Sequence, residues 1–274
     1  MSSIVSARVD SIRSLAEPSV SKVPHVTLAF WIVKICATTL GETGGDALSM
    51  TLNLGYAIST LVFVGFLSVT LGAQLLTTRY RPTLYWLVVV ATTTVGTTTS
   101  DYLDRTLGLG YVKSSVMLFC AVIAVLAIWR TVSGTIAVDK ITSRTNEFFY
   151  WLTIVVSNTL GTALGDFTAS TTGLGFERGA LVFGALLAVV AAARYLTKIP
   201  GAILFWAAYV LTRPLGATLG DTLTKSHEAG GLNLDRISSS LVIATVMALI
   251  VAATVRGVPT AGRRRSEPAS CCTR

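Results

Sequence analysis

Long apolar runs separated by short polar connections make up most of this chain. Four of these runs, at 57–77, 114–131, 179–196 and 238–255, consist mainly of aliphatic residues. As helices rising about 1.5 Å per residue, each is long enough to cross about 30 Å of hydrocarbon. Another apolar run precedes each of them and begins at an aromatic-Trp pair. The pattern therefore predicts an all-α membrane protein with eight transmembrane helices.

The eight runs form four copies of one unit. Counted from the Trp as position 0, each unit has Gly at position 10, a small residue at 14 and Asp at 15, and another Gly follows nine residues after the Asp. The shared residues are Trp31, Trp86, Trp151 and Trp206, and Asp46, Asp101, Asp166 and Asp221. With two helices per unit, all four units point the same way, which predicts four parallel helical-hairpin repeats.

The Trp spacings of 55, 65 and 55 residues divide the membrane part into two halves. Residues 23–132 form the first half, with repeats 1 and 2, and residues 133–256 form the second half, with repeats 3 and 4. Residues 1–22 precede them as a cytoplasmic segment whose apolar spacing is typical of an amphipathic surface helix. Residues 257–274 form a basic cytoplasmic tail.

Composition agrees with a membrane protein and excludes a disordered or soluble one. Hydrophobic residues make up 52% of the chain, charged residues 13%, and the mean hydropathy is +0.66. The net charge of +8 comes mostly from residues between the apolar runs, which indicates topology signals rather than nucleic-acid binding. Fifteen Lys and Arg on one side against five on the other place both termini in the cytoplasm, in a plasma (inner) membrane. The aromatic-Trp pairs then fall at the cytoplasmic interface.

The repeated Asp lies about 22 Å from the Trp along a straight helix, inside the outer part of the bilayer. A carboxylate there costs several kcal/mol unless it is hydrated, paired or bound to a cation. We therefore expect a metal site formed by acidic residues of all four units, namely Asp46, Asp101, Asp166, Asp221 and Glu42. The alternative is that each Asp caps the end of its helix.

Hydroxyl groups accompany these carboxylates on a predicted helix face at positions 8, 11 and 15. Hard cations favour such oxygen ligands, so these side chains, with one Asn, are candidates for a substrate pathway. They are Thr39, Thr94, Thr97, Thr159, Thr162 and Asn158. The alternative is that the threonines bond to their own helix backbone. The small residues at positions 10 and 14 predict close helix packing.

Two basic residues, Lys34 and Arg213, fall inside the predicted spans. We interpret them as internal counter-charges that pair with empty carboxylates and release them when an ion binds. The five acidic residues outnumber them, which predicts a net negative interior. The alternative is a fixed ion-pair network that locks the helices together.

Three segments carry a resemblance to a known family: GETGGDALS, GTALGDFTAS and GATLGDTLTK. They resemble the Glu-x-Gly-Asp signature of a family of membrane calcium/manganese transporters, in which acidic residues of paired motifs bind a divalent cation. The whole four-unit arrangement is similar to an uncharacterised family of bacterial integral membrane repeat proteins, described as membrane-anchored. The first resemblance implies a divalent-cation site at the Gly-Asp motifs, and the second implies no function.

These observations favour a membrane transporter of a cation, most simply Mn²⁺, Ca²⁺ or Mg²⁺, with the bilayer and the cation as its partners. No cofactor other than that ion is expected. A monovalent-cation channel, or a structural or partner-binding membrane protein with capping aspartates, are the alternatives. The chain offers no nucleophile-base arrangement, so we expect no enzyme. The small-residue ridges suit a monomer and a homo-oligomer equally.

Overall fold

The computed structural model describes residues 24, 26–77, 80–136, 138, 141 and 143–256. These residues form eight long helices and no strand. The predicted amphipathic segment and the basic tail lie outside the described residues. The helices are α1 (Leu28–Asp46), α2 (Gly55–Leu76), α3 (Pro82–Asp101), α4 (Gly110–Ser133), α5 (Arg144–Asp166), α6 (Gly175–Leu196), α7 (Gly201–Thr224) and α8 (Arg236–Arg256).

Local sequence signals set where these helices begin. The Thr27 hydroxyl accepts a hydrogen bond from the Phe30 amide at the start of α1, and Ser143 does the same for Asn146 at the start of α5. The Gly nine residues after each Asp has a positive φ, which only glycine adopts without strain. In the first three units this glycine is the first residue of the second helix, so the repeated Gly is explained by backbone conformation.

The first helices of the four units form a closed central ring. Helix α1 contacts α3, α3 contacts α5, α5 contacts α7, and α7 returns to α1. The second helices lie outside this ring and pack mainly on the first helix of the next unit: α2 on α3, α4 on α5, α6 on α7, and α8 on α1. The two helices of one unit therefore do not pack mainly on each other. Because each second helix packs on the next unit, every unit contacts its neighbour, and unit 4 contacts unit 1.

Glycine makes the central ring possible. A Cβ on Gly96 would lie 2.9 Å from the Cβ of Asn158 on the next helix, and one on Gly216 would lie 2.9 Å from the Thr39 amide nitrogen. In every unit the Gly at position 10 receives the side chain at position 7 of the next unit. The pairs are Gly41 with Thr93, Gly96 with Asn158, Gly161 with Arg213 and Gly216 with Thr38. The predicted packing role of the small residues is confirmed.

Aromatic side chains close one end of the central ring. This aromatic floor consists of Phe30, Tyr85, Trp86, Tyr150, Trp151, Phe205 and Trp206, all of them buried. The rings contact one another across helix boundaries, and the Tyr85 and Tyr150 hydroxyls lie 2.6 Å apart. These residues therefore pack against one another inside the bundle, whereas the sequence pattern placed them among lipid headgroups.

The helix surfaces are those of a membrane protein. Six described helices are long and apolar enough to cross a membrane: α2, α4, α5, α6, α7 and α8. The outer helices expose large aliphatic side chains, including Leu61 and Leu241, that water would not favour. Helices α1 and α3, which lie in the central ring, are not among these six helices. The chain is a multi-pass, all-helical membrane protein with four internal repeats.

Candidate cation site

The four repeated aspartates lie together at the end of the central ring opposite the aromatic floor, and each is at most 3% exposed. In the first three units a five-residue π-helix begins directly after the Asp, at 47–51, 102–106 and 167–171. None of these three Asp side chains makes a capping hydrogen bond. The capping alternative is therefore wrong. The helix continues past the Asp, and its carboxylate points into the protein. Single-turn π-helices of this kind are frequent at functional sites.

Arg105 bridges two of these aspartates. Its Nε lies 3.2 Å from Asp101 Oδ1, and its Nη2 lies 3.3 Å from Asp166 Oδ2. Arg105 follows Asp101 by four residues, along the π-helix of unit 2, and reaches the carboxylate of unit 3. A planar guanidinium suits this double contact.

Lys225 bridges the other two aspartates in the same way. Its Nζ lies 3.0 Å from Asp221 Oδ1, four residues before it, and 2.8 Å from Asp46 Oδ2 in unit 1. Arg236, the first residue of α8, adds a longer contact of 3.7 Å to Asp46. The two halves of the chain thus repeat one arrangement, in which a basic residue of an even-numbered unit joins its own Asp to the Asp of the next unit.

These basic residues offset part of the negative charge that the sequence predicts for the interior. Arg105, Lys225 and Arg236 count as outer-loop charges in the sequence, yet they fold over the carboxylates. Within the described part of the chain, each of the five acidic residues proposed as ligands contacts a basic side chain, namely Arg105, Arg213, Lys225 or Arg236. The spacing of four residues in Asp101-Arg105 and Asp221-Lys225 was the available sequence signal.

Glu42, Asp46 and Asp221 form an acidic triad between α1 and α7. One carboxylate oxygen of each lies within 4.8 Å of the others, and all three residues are buried. Asp46 Oδ1 is buried and has no hydrogen-bond partner among the described residues. The sequence therefore named five acidic candidates, and the structure brings three of them together. The remaining two, Asp101 and Asp166, are held on Arg105.

Arg213 crosses the middle of the ring from α7. Its fully buried guanidinium contacts Glu42 Oε2 of α1 at 3.1 Å and donates to Thr162 Oγ1 of α5 at 2.7 Å and to the Thr97 hydroxyl of α3. One side chain thereby ties together all four central helices. The predicted pairing of Arg213 with a carboxylate is confirmed by its contact with Glu42.

Lys34 behaves differently from the prediction. It is fully buried, and its Nζ has no hydrogen-bond partner among the described residues. The ammonium lies over the Tyr209 ring, 4.2 Å from the ring centroid. Its predicted pairing with a carboxylate is wrong, because Lys34 lies two helical turns from Glu42, which Arg213 already holds.

The candidate pathway oxygens divide into two groups. Three threonines at position 8 donate to the carbonyl four residues earlier on their own helix: Thr39, Thr94 and Thr159. The alternative of a bond to their own backbone therefore applies to these three threonines, and the central face follows positions 7, 11 and 15. Thr97 and Thr162, at position 11, do face the centre and contact Arg213. Asn158, at position 7, donates to Thr92 Oγ1 at 3.0 Å.

Comparison with known proteins identifies the family of this chain. No curated protein and no solved structure matches this chain. The family model Repeat of Unknown Function (DUF347) matches it four times, at residues 29–80, 84–135, 149–199 and 204–257. The four matches coincide with the four units derived from the Trp and Asp positions, which confirms the predicted repeats. The chain belongs to this repeat family.

Proposed function

We propose that the protein is a plasma-membrane transporter of a divalent cation, such as Mn²⁺, Ca²⁺ or Mg²⁺, and that the acidic triad is its binding site. In this proposal all eight helices cross the membrane, α1 and α3 included, with both termini in the cytoplasm. The proposal involves the lipid bilayer and the ion as partners. It involves no catalytic reaction, no resident cofactor and no nucleic acid.

The observation that carries the proposal is the geometry of Glu42, Asp46 and Asp221. Their oxygens lie within 4.8 Å of one another. Ca²⁺ binds carboxylate oxygens at about 2.3–2.6 Å, so one ion between these groups reaches all three without a large movement. Thr97 lies beside the triad, since its hydroxyl is 3.2 Å from Glu42 Oε2, and it offers a neutral oxygen.

Lys225 takes the place of the cation in the ion-free state. Its ammonium contacts two of the three triad residues, Asp46 and Asp221, and its side chain is 14% exposed. A lysine ends in a point charge on a flexible stem, so it can withdraw toward the surface when a divalent ion arrives. The tethered ammonium thus keeps the empty site neutral without occupying it permanently.

The second pair, Asp101 and Asp166, holds an arginine where the triad holds a lysine. A guanidinium that contacts two carboxylates is harder to displace than an ammonium, because its contacts are directional and its charge is permanent. We therefore assign the ion to the triad and a fixed structural role to the Arg105 pair.

Two observations favour this proposal over its alternatives. Arg213 fills the middle of the ring, which does not suit a permanently open monovalent-cation channel. A purely structural ion-pair lock would be expected to pair its buried oxygens, yet Asp46 Oδ1 lacks a partner among the described residues.

Thermal unfolding of the purified protein against Mn²⁺, Ca²⁺, Mg²⁺, Zn²⁺, Na⁺ and K⁺ tests binding first. An ion at 100 times its Kd stabilises the fold by about 2.7 kcal/mol. The ion that stabilises the protein is then offered to proteoliposomes, where saturable uptake separates a carrier from a channel. If no divalent ion raises the melting temperature or enters the vesicles, the transporter proposal is wrong and the structural alternative takes its place.

A further inference from the structure

Lys34 is a fully buried charged group for which the proposed ion site has no use. Its side chain is 0% exposed, and its Nζ finds no acceptor in the described part of the chain. The Tyr209 ring face, 4.2 Å away at its centroid, is its closest favourable contact. A cation-π contact offsets only part of the cost of burying an ammonium without a counter-charge.

The charges around Lys34 also oppose an extra positive charge. Helix α7 contributes Tyr209 and Arg213, and Arg213 repels the ammonium. On helix α3, Tyr85 lies near Tyr209, and its hydroxyl is bonded to Tyr150. Helix α8 has no titratable side chain between its terminal arginines. On α1 itself, Glu42 lies eight residues away and is paired with Arg213.

We infer that Lys34 is a proton-binding site whose occupancy is coupled to the ion in the acidic triad, so that binding of the divalent cation expels the Lys34 proton. This inference rests on the proposed function and names its coupling ion. In the ion-free state Glu42 offsets the charge of Arg213 and the Tyr209 ring face contacts the ammonium, so Lys34 keeps its proton. When the Glu42 carboxylate binds a divalent cation, it offsets less of the positive charge of Arg213.

The consequence for Lys34 is a proton exchange. The more positive centre repels the ammonium, its N–H bond breaks, and the electron pair stays on Nζ. The proton passes to water. The net reaction takes up one divalent cation and releases one proton, and it needs no other reactant. Transport built on this exchange is cation/proton antiport.

The pH dependence of cation binding tests the inference. The Kd of the stabilising ion is measured between about pH 6 and pH 8.5 for wild type, Lys34→Met, Lys34→Gln and the control Lys198→Met, which removes an exposed lysine. Loss of one proton per bound ion changes the Kd by up to about tenfold per pH unit, with tighter binding at high pH. Protonation of the carboxylates also weakens cation binding at low pH, and it does so in every variant. The difference in pH dependence between the variants therefore reports the contribution of Lys34.

We expect a smaller pH dependence in Lys34→Met and Lys34→Gln than in wild type and Lys198→Met, with binding itself retained. Proton release on ion addition, read with a dye in weak buffer, should fall in the same two variants. Met is a neutral side chain only one atom shorter than Lys, and Gln provides a second neutral side chain if Met disturbs folding.

Equal pH dependence in wild type and the two Lys34 variants would overturn the coupling while leaving the ion site intact. Failure of wild type to bind any cation would instead remove the proposed function as well. The two failures are therefore distinguishable. An Asp46→Asn protein that no longer binds the ion serves as the zero point for proton release.

Discussion

Replacing Lys225 with Met removes the tethered cation from the acidic triad and leaves the carboxylates in place. The ammonium makes contacts of 2.8 and 3.0 Å to Asp46 and Asp221, and its side chain is only 14% exposed. Removing one partner of a buried ion pair costs about 3–5 kcal/mol, because the other charge stays buried and uncompensated. Arg236, at 3.7 Å, offsets part of this loss. We therefore expect the ion-free variant to be less stable than wild type by about 3 kcal/mol.

A divalent cation should reverse this loss, since it supplies the charge that Lys225 provided and no longer competes with it. Thermal unfolding is measured against ion concentration for wild type, Lys225→Met and the control Lys113→Met, which removes an exposed lysine of α4. The expected result for Lys225→Met is a larger stabilisation that begins at a lower ion concentration. An ion-free Lys225→Met protein as stable as wild type, or one that responds to the ion as wild type does, would refute the reasoning.

Three further substitutions test the ring and its ion pairs by thermal or denaturant unfolding. Gly216→Ala should destabilise the fold by about 1–3 kcal/mol through overlap with the next helix, while Gly65→Ala, which meets no described atom within 4 Å, should be neutral or stabilising. Equal effects at both sites would contradict the ring packing. Arg105→Met should lower the stability of the fold by about 2 kcal/mol, and divalent ions should stabilise this variant no more than they stabilise wild type. A larger stabilisation of the variant would place the ion at Asp101 and Asp166 instead of the triad. Arg213→Met should cost about 3–5 kcal/mol, and adding Glu42→Gln should recover part of this loss, so an additive double variant would argue against their pairing.

Sequence patterns predict most of the fold because the residues that recur in each unit have strict structural roles. The Gly at position 10 accepts a side chain of the next helix, and the Gly after the Asp requires a positive φ. Both constraints recur in every unit, so their periodicity is visible without a structure. The four units and the helical class followed directly.

The packing between units could not be read from the chain. Helix α2 packs on α3 rather than on α1, and no local signal distinguishes the two arrangements. In the structure the residues at positions 7, 11 and 15 face the centre of the ring. On an ideal helix, position 8 shares a face with positions 11 and 15 about as well as position 7 does, so the sequence does not distinguish the two. This small rotation decides that Thr39 bonds to its own backbone and that Thr38 contacts α7.

The sequence named the acidic residues of the candidate site and Arg213, but it missed the three basic residues at the rim, Arg105, Lys225 and Arg236. Arg105 and Lys225 lie in connections, where positive charge has an adequate explanation as a topology signal. Arg105 lies on a π-helix and Lys225 directly follows the end of α7, and only this backbone geometry turns the two side chains toward the aspartates. The predicted carboxylate partner of Lys34 is absent from the described residues, because no sequence signal shows which acidic side chain a buried lysine reaches.

Equilibrium dialysis of the purified protein with a radioactive divalent ion tests the central claim most directly. The variants are Glu42→Gln, Asp46→Asn and Asp221→Asn for the triad, with Asp235→Asn as a matched control, because Asp235 precedes α8 and is exposed. We predict one saturable site per chain in wild type and in the control, and at least a tenfold weaker site in each triad variant. Equal binding by all four variants, or no saturable binding by wild type, would contradict a cation site at Glu42, Asp46 and Asp221.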